Sequence, residues 1–151
     1  MPDSTTELIK DLRARTSAGV MDCKKALEES GGDVDKAESI LKEKGIASAA
    51  KKADRETDQG LIDTYIHSGG RIGAMIEINC ETDFVARTDD FASLAHDIAM
   101  QVAAMSPSLL SAEEAPEPGQ VTEDECLLSQ PFIKDPSKTI QDLINETVGK
   151  L

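Results

Sequence analysis

Two stretches of alternating side chains, joined by the tripeptide Ser68-Gly69-Gly70, constrain the fold of this chain more than any other feature. In residues 71–80 every other side chain is apolar, as expected for a strand with one buried face. That face carries Ile72, Ala74, Ile76, Ile78 and Cys80, and the other carries Gly73, Met75, Glu77 and Asn79. Residues 61–67 alternate in the same way, with Ile62, Thr64 and Ile66 on one face. A glycine-rich connection between such stretches predicts an antiparallel hairpin.

After the hairpin, the spacing of apolar residues changes to that of a helix. Thr88 is suited to cap this helix, and Asp89 and Asp90 place negative charge in its first turn, where the helix dipole favours it. We expect the helix to end before Pro107. Its apolar stripe consists of Phe91, Leu94, Ala95, Ile98, Val102 and Met105.

The last third of the chain begins with an acidic segment. Residues 111–126 contain six acidic residues and no basic residue, which predicts a solvated loop. We expect the loop to lead into a short helix around Thr122–Gln130. A final helix that starts near Ser137 or Thr139 should follow, with Ile140, Leu143, Ile144, Val148 and Leu151 as its apolar residues.

The first 50 residues show the pattern of three short helices. Gly31-Gly32 ends the second helix, Asp33 caps the third, and Gly45 lies where a left-handed residue would end the third. The apolar stripes of the three helices contain Leu8, Ile9, Leu12, Val20, Cys23, Ala26, Leu27, Val34, Ala37, Ile40 and Leu41. The chain therefore predicts an α+β fold, in which three helices precede a small antiparallel sheet with helices packed on one face.

Charge divides the chain into two parts. Residues 1–60 hold 11 basic and 13 acidic residues, whereas residues 61–151 hold 5 and 16. Together with the polar connector at residues 49–55, this predicts one domain at 1–54 and a second at 55–151. The net charge of −13 disfavours binding to nucleic acid or to anionic membranes. With no apolar run of about 20 residues and no signal peptide, we expect a cytoplasmic protein.

The cysteines and histidines do not form a pattern typical of a cofactor site. Cys23, Cys80 and Cys126 are dispersed, and neither His67 nor His96 has a second ligand at metal-binding spacing. We therefore expect no metal, no cofactor and no cysteine-based redox chemistry, and we interpret the cysteines as packed, reduced thiols.

One loop stands out between the second strand and the long helix. It contains Phe84 and Val85 at positions where the strand and helix patterns require no buried face. Phe84 could pack back onto the following helix, or it could be available to a partner. The carboxylates of Glu81 and Asp83 could be solvated or could form an acid–base pair. No nucleophile or histidine accompanies them, so we do not expect an enzyme or catalytic residues.

Two segments carry a resemblance to a known family. Residues 12–27 read LRARTSAGVMDCKKAL, and residues 77–87 read EINCETDFVAR. In order and spacing they resemble the signature segments of the elongation factor Ts family. The connector residues KKADR at 51–55 and the Gln-Pro-Phe at 130–132 are also similar to that family.

This resemblance implies a guanine nucleotide exchange factor that releases GDP from elongation factor Tu. It implies that the first domain is similar to a ubiquitin-associated module and docks on Tu. The second signature would push between Tu helices and displace the magnesium ion beside the nucleotide. The implied magnesium-dislocation residues are Thr82, Asp83, Phe84 and Val85, and the implied docking residues are Arg13, Gly19, Val20 and Met21. Val20 and Met21 could equally close the core of their own module.

The chain departs from the longer members of that family. It has room for a single core repeat, and the basic, aromatic strand expected after the last helix is not present before Leu151. It therefore resembles the short form of the family, for which we expect a homodimer with an exposed sheet edge. The alternative function is that of a ubiquitin-associated-type protein-interaction module without exchange activity.

Overall fold

The computed structural model describes residues 4–16, 18–117 and 119–151. These residues form two compact units, one that ends at Ala53 and includes Val148–Leu151, and one that extends over Asp54–Thr147. The elements are α1 (Ser4–Thr16), α2 (Val20–Glu29), α3 (Val34–Lys52), β1 (Gln59–Ile66), β2 (Gly73–Cys80), α4 (Asp83–Ala86), α5 (Asp89–Met105), β3 (Pro131–Phe132), β4 (Asp135–Thr139) and α6 (Ile140–Lys150). The predicted α+β fold is confirmed. No helix among the described residues is long and apolar enough to cross a bilayer.

Three helices, α1, α2 and α3, build the amino-terminal unit around a small core. The buried residues of this core are Leu12, Cys23, Ala26, Leu27 and Ala37. Asp33 begins α3 as predicted, because its side chain accepts a hydrogen bond of 3.0 Å from the backbone N–H of Lys36. The core has few large side chains, so its free energy of unfolding is expected to be small.

The prediction that Gly45 ends the third helix is wrong. Helix α3 continues through Gly45 to Lys52, so the connector expected at residues 49–55 is mostly its last turn. A β-carbon on Gly45 would meet no atom within 4 Å, whereas one on Gly149 would lie 2.8 Å from the Cα atom of Gly45. The close approach of the two backbones therefore requires glycine at position 149 but leaves room for a side chain at position 45.

The predicted hairpin is present, with β1 and β2 paired from Gln59 opposite Cys80 to Ile66 opposite Gly73. Gly69 and Gly70 adopt φ angles of 93° and 69°, which a residue without a β-carbon reaches without strain. Arg71 and Ile72 belong to the turn, so the strand starts two residues later than expected. Helix α5 packs on one face of both strands, as predicted. The opposite face exposes Ile62, Ile66 and Met75, which we call the outer hairpin face.

Helix α5 organises the core of the second unit. Thr88 caps it as predicted, accepting a hydrogen bond of 3.3 Å from the backbone N–H of Phe91. The helix ends at Met105, and Ser106 adopts a left-handed conformation before Pro107. The buried cluster around α5 contains Leu94, Ile98, Leu127, Phe132 and Ile140.

The segment after the acidic loop differs from the expectation. Two single turns of 3-10 helix, Glu123–Glu125 and Leu127–Ser129, replace the short helix expected around Thr122–Gln130. The carboxylate of Glu125 accepts hydrogen bonds from the N–H and the hydroxyl of Thr122, so a capping box marks the start of the first turn. The following small hairpin, β3 with β4, was not predicted. Its start is held by the buried Gln101, which accepts a hydrogen bond from the N–H of Ile133.

Candidate functional site

The loop between β2 and α5, residues 81–88, presents the most exposed aromatic side chain among the described residues. Phe84 is 78% exposed, whereas Phe91 is 3% exposed and Phe132 is 5% exposed. The interpretation in which Phe84 packs back on the following helix is therefore wrong. An aromatic ring that stays in water does not gain the hydrophobic free energy that burial would provide. Burial of the Phe84 ring against a partner protein would therefore be favourable.

Two threonines fix the single helical turn, α4, that carries Phe84. The hydroxyl oxygen of Thr82 accepts a hydrogen bond of 3.3 Å from the N–H of Val85, and this caps the start of α4. At the other end, the hydroxyl of Thr88 donates a hydrogen bond of 2.8 Å to the carbonyl of Val85. Thr82 follows the end of β2 and Thr88 caps α5, so side chains next to both flanking elements hold the two ends of the turn. Val85 itself is half-buried, so Phe84 alone projects from the turn.

The base of the loop is held by two further contacts. The thiol of the buried Cys80 donates to the carbonyl of Thr82 over 3.1 Å. One residue along, the carboxylate of Glu81 accepts hydrogen bonds of 3.1 and 3.2 Å from Nη1 of Arg55. The sequence placed Cys80 on the buried face of β2 and Arg55 in the connector, but it predicted neither of these contacts. Only the fold shows that residue 55 meets residue 81.

Each acidic side chain of the loop has an arginine partner. Glu81 pairs with Arg55, and the carboxylate of Asp83 lies 2.9 Å from Nη2 of Arg87. These ion pairs do not support the acid–base interpretation, since a general base needs a carboxylate free to accept a proton from substrate. The arrangement can instead present an apolar ring beside a paired, half-exposed carboxylate, which suits contact with another protein.

The second group of predicted site residues lies at the junction of α1 and α2. Arg13 donates a hydrogen bond of 3.3 Å from Nε to the carbonyl of Ala18, and Gly19 begins α2. Val20 and Met21 occupy the first turn of α2 and are 49% and 62% exposed. The interpretation in which these two residues close the core of their own module is therefore wrong. Burial raises the pKa of the nearby Cys23 thiol above its ordinary value.

Comparison with known proteins connects these two groups of residues. The family model described as Elongation factor TS matches residues 10–125, which includes both groups. The chain belongs to the elongation factor Ts family. Membership assigns it a role in translation elongation, that is, in protein biosynthesis.

Curated members of the family cover almost the whole chain. Elongation factor Ts of Thermoanaerobacter sp. (strain X514) is 46% identical over 178 aligned positions, which are 97% of this chain and 87% of the relative. Elongation factor Ts of Moorella thermoacetica is 48% identical over 174 positions, 95% of this chain and 86% of the relative. The alignment with elongation factor Ts of Desulforamulus reducens extends over 182 positions and 100% of this chain, 84% of the relative, with 46% identity. Since this chain has 151 residues, about 31 of those positions have no counterpart here.

Proposed function

We propose that this chain is a guanine nucleotide exchange factor that promotes the release of GDP from elongation factor Tu. The observation that carries the proposal is the exposure of Phe84 on a helical turn that Thr82 and Thr88 hold at both ends. Family membership supports the choice of Tu as the partner. Thr82, Asp83, Phe84 and Val85 would together displace the magnesium ion of Tu from its place beside the phosphates.

The physical basis is competition between two conformations of Tu. Nucleotide phosphates are held by backbone N–H groups and by a magnesium ion, all of which must face the ligand at once. An aromatic ring that inserts between two helices stabilises a conformation in which this arrangement is broken. Phe84 is suited to that role because its ring is already exposed and its backbone is already ordered. No covalent bond changes in this process, so we propose a binding protein, not an enzyme.

Thermodynamic linkage sets a requirement on such a factor. If binding of this chain lowers the affinity of Tu for GDP n-fold, then binding of GDP lowers the affinity of Tu for this chain n-fold as well. The chain therefore needs a second contact that keeps it on Tu while the nucleotide leaves. We propose that the domain at residues 1–54 provides this contact as a docking module similar to a ubiquitin-associated domain. Arg13, Gly19, Val20 and Met21 would form its surface.

A second copy of the chain is the other partner that we propose. The two-stranded sheet of β1 and β2 has unpaired edges among the described residues, and its outer hairpin face exposes three large apolar side chains beside the polar Thr64, Glu77 and Asn79. Such a surface is usually covered in a stable assembly. A net charge of −13 on each copy opposes association, and salt screens this repulsion. The homodimer should therefore be tighter in moderate salt than in low salt. Light scattering at micromolar concentration tests this, and a monomeric mass in moderate salt would contradict it.

Release of a fluorescent GDP analogue from Tu tests the proposed function. We expect the purified chain to accelerate release in a manner that saturates with its concentration. The alternative, an interaction module without exchange activity, predicts binding to Tu with an unchanged rate of release. Measuring binding and release on the same preparation separates the two functions. We further propose a cytoplasmic location without direct contact to nucleic acid or membrane, consistent with the acidic charge.

A further inference from the structure

Arg55 and Glu81 make a contact at the point where the hairpin ends. The last paired residues of the hairpin are Gln59 and Cys80, so residues 81 and 82 have no strand neighbour. Arg55 precedes β1 by four residues and reaches past that last pair. Its Nη1 atom donates to both oxygens of the Glu81 carboxylate, at 3.1 and 3.2 Å.

This contact bears directly on the residue that starts the exposed turn. Glu81 is followed by Thr82, whose hydroxyl and carbonyl accept hydrogen bonds from the N–H groups of Val85 and Ala86. Any rotation of the chain at residue 81 therefore moves the cap of α4, and with it Phe84. The Arg55 guanidinium binds the Glu81 carboxylate to the segment before β1, and this contact opposes such a rotation.

We propose that Arg55 is a positioning residue for Phe84, acting through Glu81 and without contacting Tu. The proposal rests on the proposed exchange function and adds to it a residue outside the signature segment. Both side chains are partly exposed, so the ion pair adds little to global stability. The effect of the ion pair is to keep the single helical turn α4 ordered.

The test compares three variants in the full chain. Arg55→Gln removes the charge but keeps much of the side chain. Arg71→Gln is the matched control, because Arg71 lies in the hairpin turn and makes no ion pair with any described residue. The third is the charge-swapped double variant, Arg55→Glu with Glu81→Arg, which restores the pair with its direction reversed.

Two measurements are made on each variant. The first is amide hydrogen exchange at Val85 and Ala86, with Ile98 in α5 as an internal reference; it does not depend on Tu. We expect Arg55→Gln to speed exchange at Val85 and Ala86 only, and the swap to restore protection. The second is the maximal rate of GDP release from Tu at saturating factor. We expect a fall of about two- to fivefold for Arg55→Gln, none for Arg71→Gln, and substantial recovery in the swap.

The outcomes separate this proposal from the proposed function. Unchanged amide exchange in Arg55→Gln would overturn the positioning role. A slower release that the charge swap does not recover would also overturn it, because Arg55 would then contact Tu itself. If the unmodified chain does not accelerate release, the exchange function fails while the amide measurement still decides whether Arg55 orders α4.

Discussion

The carboxylate of Asp83 lies 2.9 Å from Nη2 of Arg87, one helical turn further along the chain. The pair flanks Phe84 on the exposed side of the β2–α5 loop, so the loop presents an apolar ring next to a charge that is already compensated. In the proposed complex Asp83 would give up an ion pair to meet new donors on Tu, whereas Phe84 would give up only water. Phe84 should therefore contribute more than Asp83 to nucleotide release.

Asp83→Ala should slow GDP release by at most about fivefold, because a partly solvated, paired carboxylate contributes up to roughly 1 kcal/mol. Stopped-flow release of fluorescent GDP measures this. Arg87→Ala is the informative companion, since it frees Asp83 without removing it. A loss with Asp83→Ala as large as that with Phe84→Ala would contradict the predicted order.

Met21→Ala should weaken binding of the full chain to Tu while leaving the maximal release rate nearly unchanged. The physical reason is that Met21 is 62% exposed on the proposed docking surface and takes no part in the β2–α5 loop. Fewer than about a third of interface residues cost more than about 1 kcal/mol on truncation, and we expect Met21 to be one of them, at about 1–2 kcal/mol or roughly 5- to 30-fold in affinity. Titration of release rate against factor concentration separates affinity from maximal rate. Unchanged affinity would exclude the docking role of this residue.

Gly45→Ala and Gly149→Ala should change stability in opposite directions. A β-carbon at Gly45 meets no atom within 4 Å, so alanine there gains helix propensity, up to about 1 kcal/mol. A β-carbon at Gly149 would lie 2.8 Å from the backbone of Gly45, and this overpacking should cost about 1–3 kcal/mol. Urea unfolding followed by circular dichroism measures both. Equal effects of the two substitutions would contradict the close approach of these glycines.

The amino-terminal helices should lose stability in acid through Asp33. The backbone N–H of Lys36 donates to its carboxylate and lowers the pKa of Asp33 below the ordinary value. The resulting stabilisation is present above the pKa of the unfolded chain, about 4, and disappears as the pH falls through the lower folded value. Asp33→Asn keeps a capping oxygen but does not titrate, so its unfolding should depend less on pH between 5 and 3. Identical pH profiles for the two proteins would rule out this source of acid sensitivity.

The hairpin and α5 were predictable because their signals are local. Alternation of apolar residues, the turn glycines and the cap at Thr88 each involve residues close in sequence, and the structure confirms all three. The signal at Gly45 is local as well, but it misleads. A glycine after an apolar stripe is typical of a helix end, whereas the alanine- and lysine-rich residues 47–52 favour helix and α3 continues to Lys52.

The carboxy-terminal hairpin carries almost no local signal. Strand β3 contains only Pro131 and Phe132, and a register shift interrupts its pairing with β4, so no period can be read from it. Its position depends on Gln101, which is buried and contributes hydrogen bonds from α5 to Pro131 and Ile133. Gln101 lies on the apolar side of α5, three residues after Ile98, and a polar residue at that place was the available hint.

The candidate site was only partly accessible from sequence. Composition and spacing singled out Phe84 and Val85 but left open whether the ring was packed or exposed. The family segments supplied the implied role, and the fold supplied the exposure and the contacts of Arg55 and Cys80. The contact of Arg55 with Glu81 joins residues 26 apart in sequence, so it does not follow from any local pattern.

The central claim is that the exposed ring of Phe84 drives nucleotide release, and Phe84→Ala tests it most directly. The ring makes no contribution to the core, so the variant should unfold at nearly the same temperature as the unmodified chain. Loss of a buried aromatic anchor in the complex should cost on the order of 2–4 kcal/mol, which slows GDP release from Tu by roughly 30- to 1000-fold. Leu110→Ala, a half-exposed apolar side chain outside the loop, is the matched control and should release GDP at the unmodified rate. A folded Phe84→Ala variant that releases GDP as fast as the unmodified chain would contradict the claim.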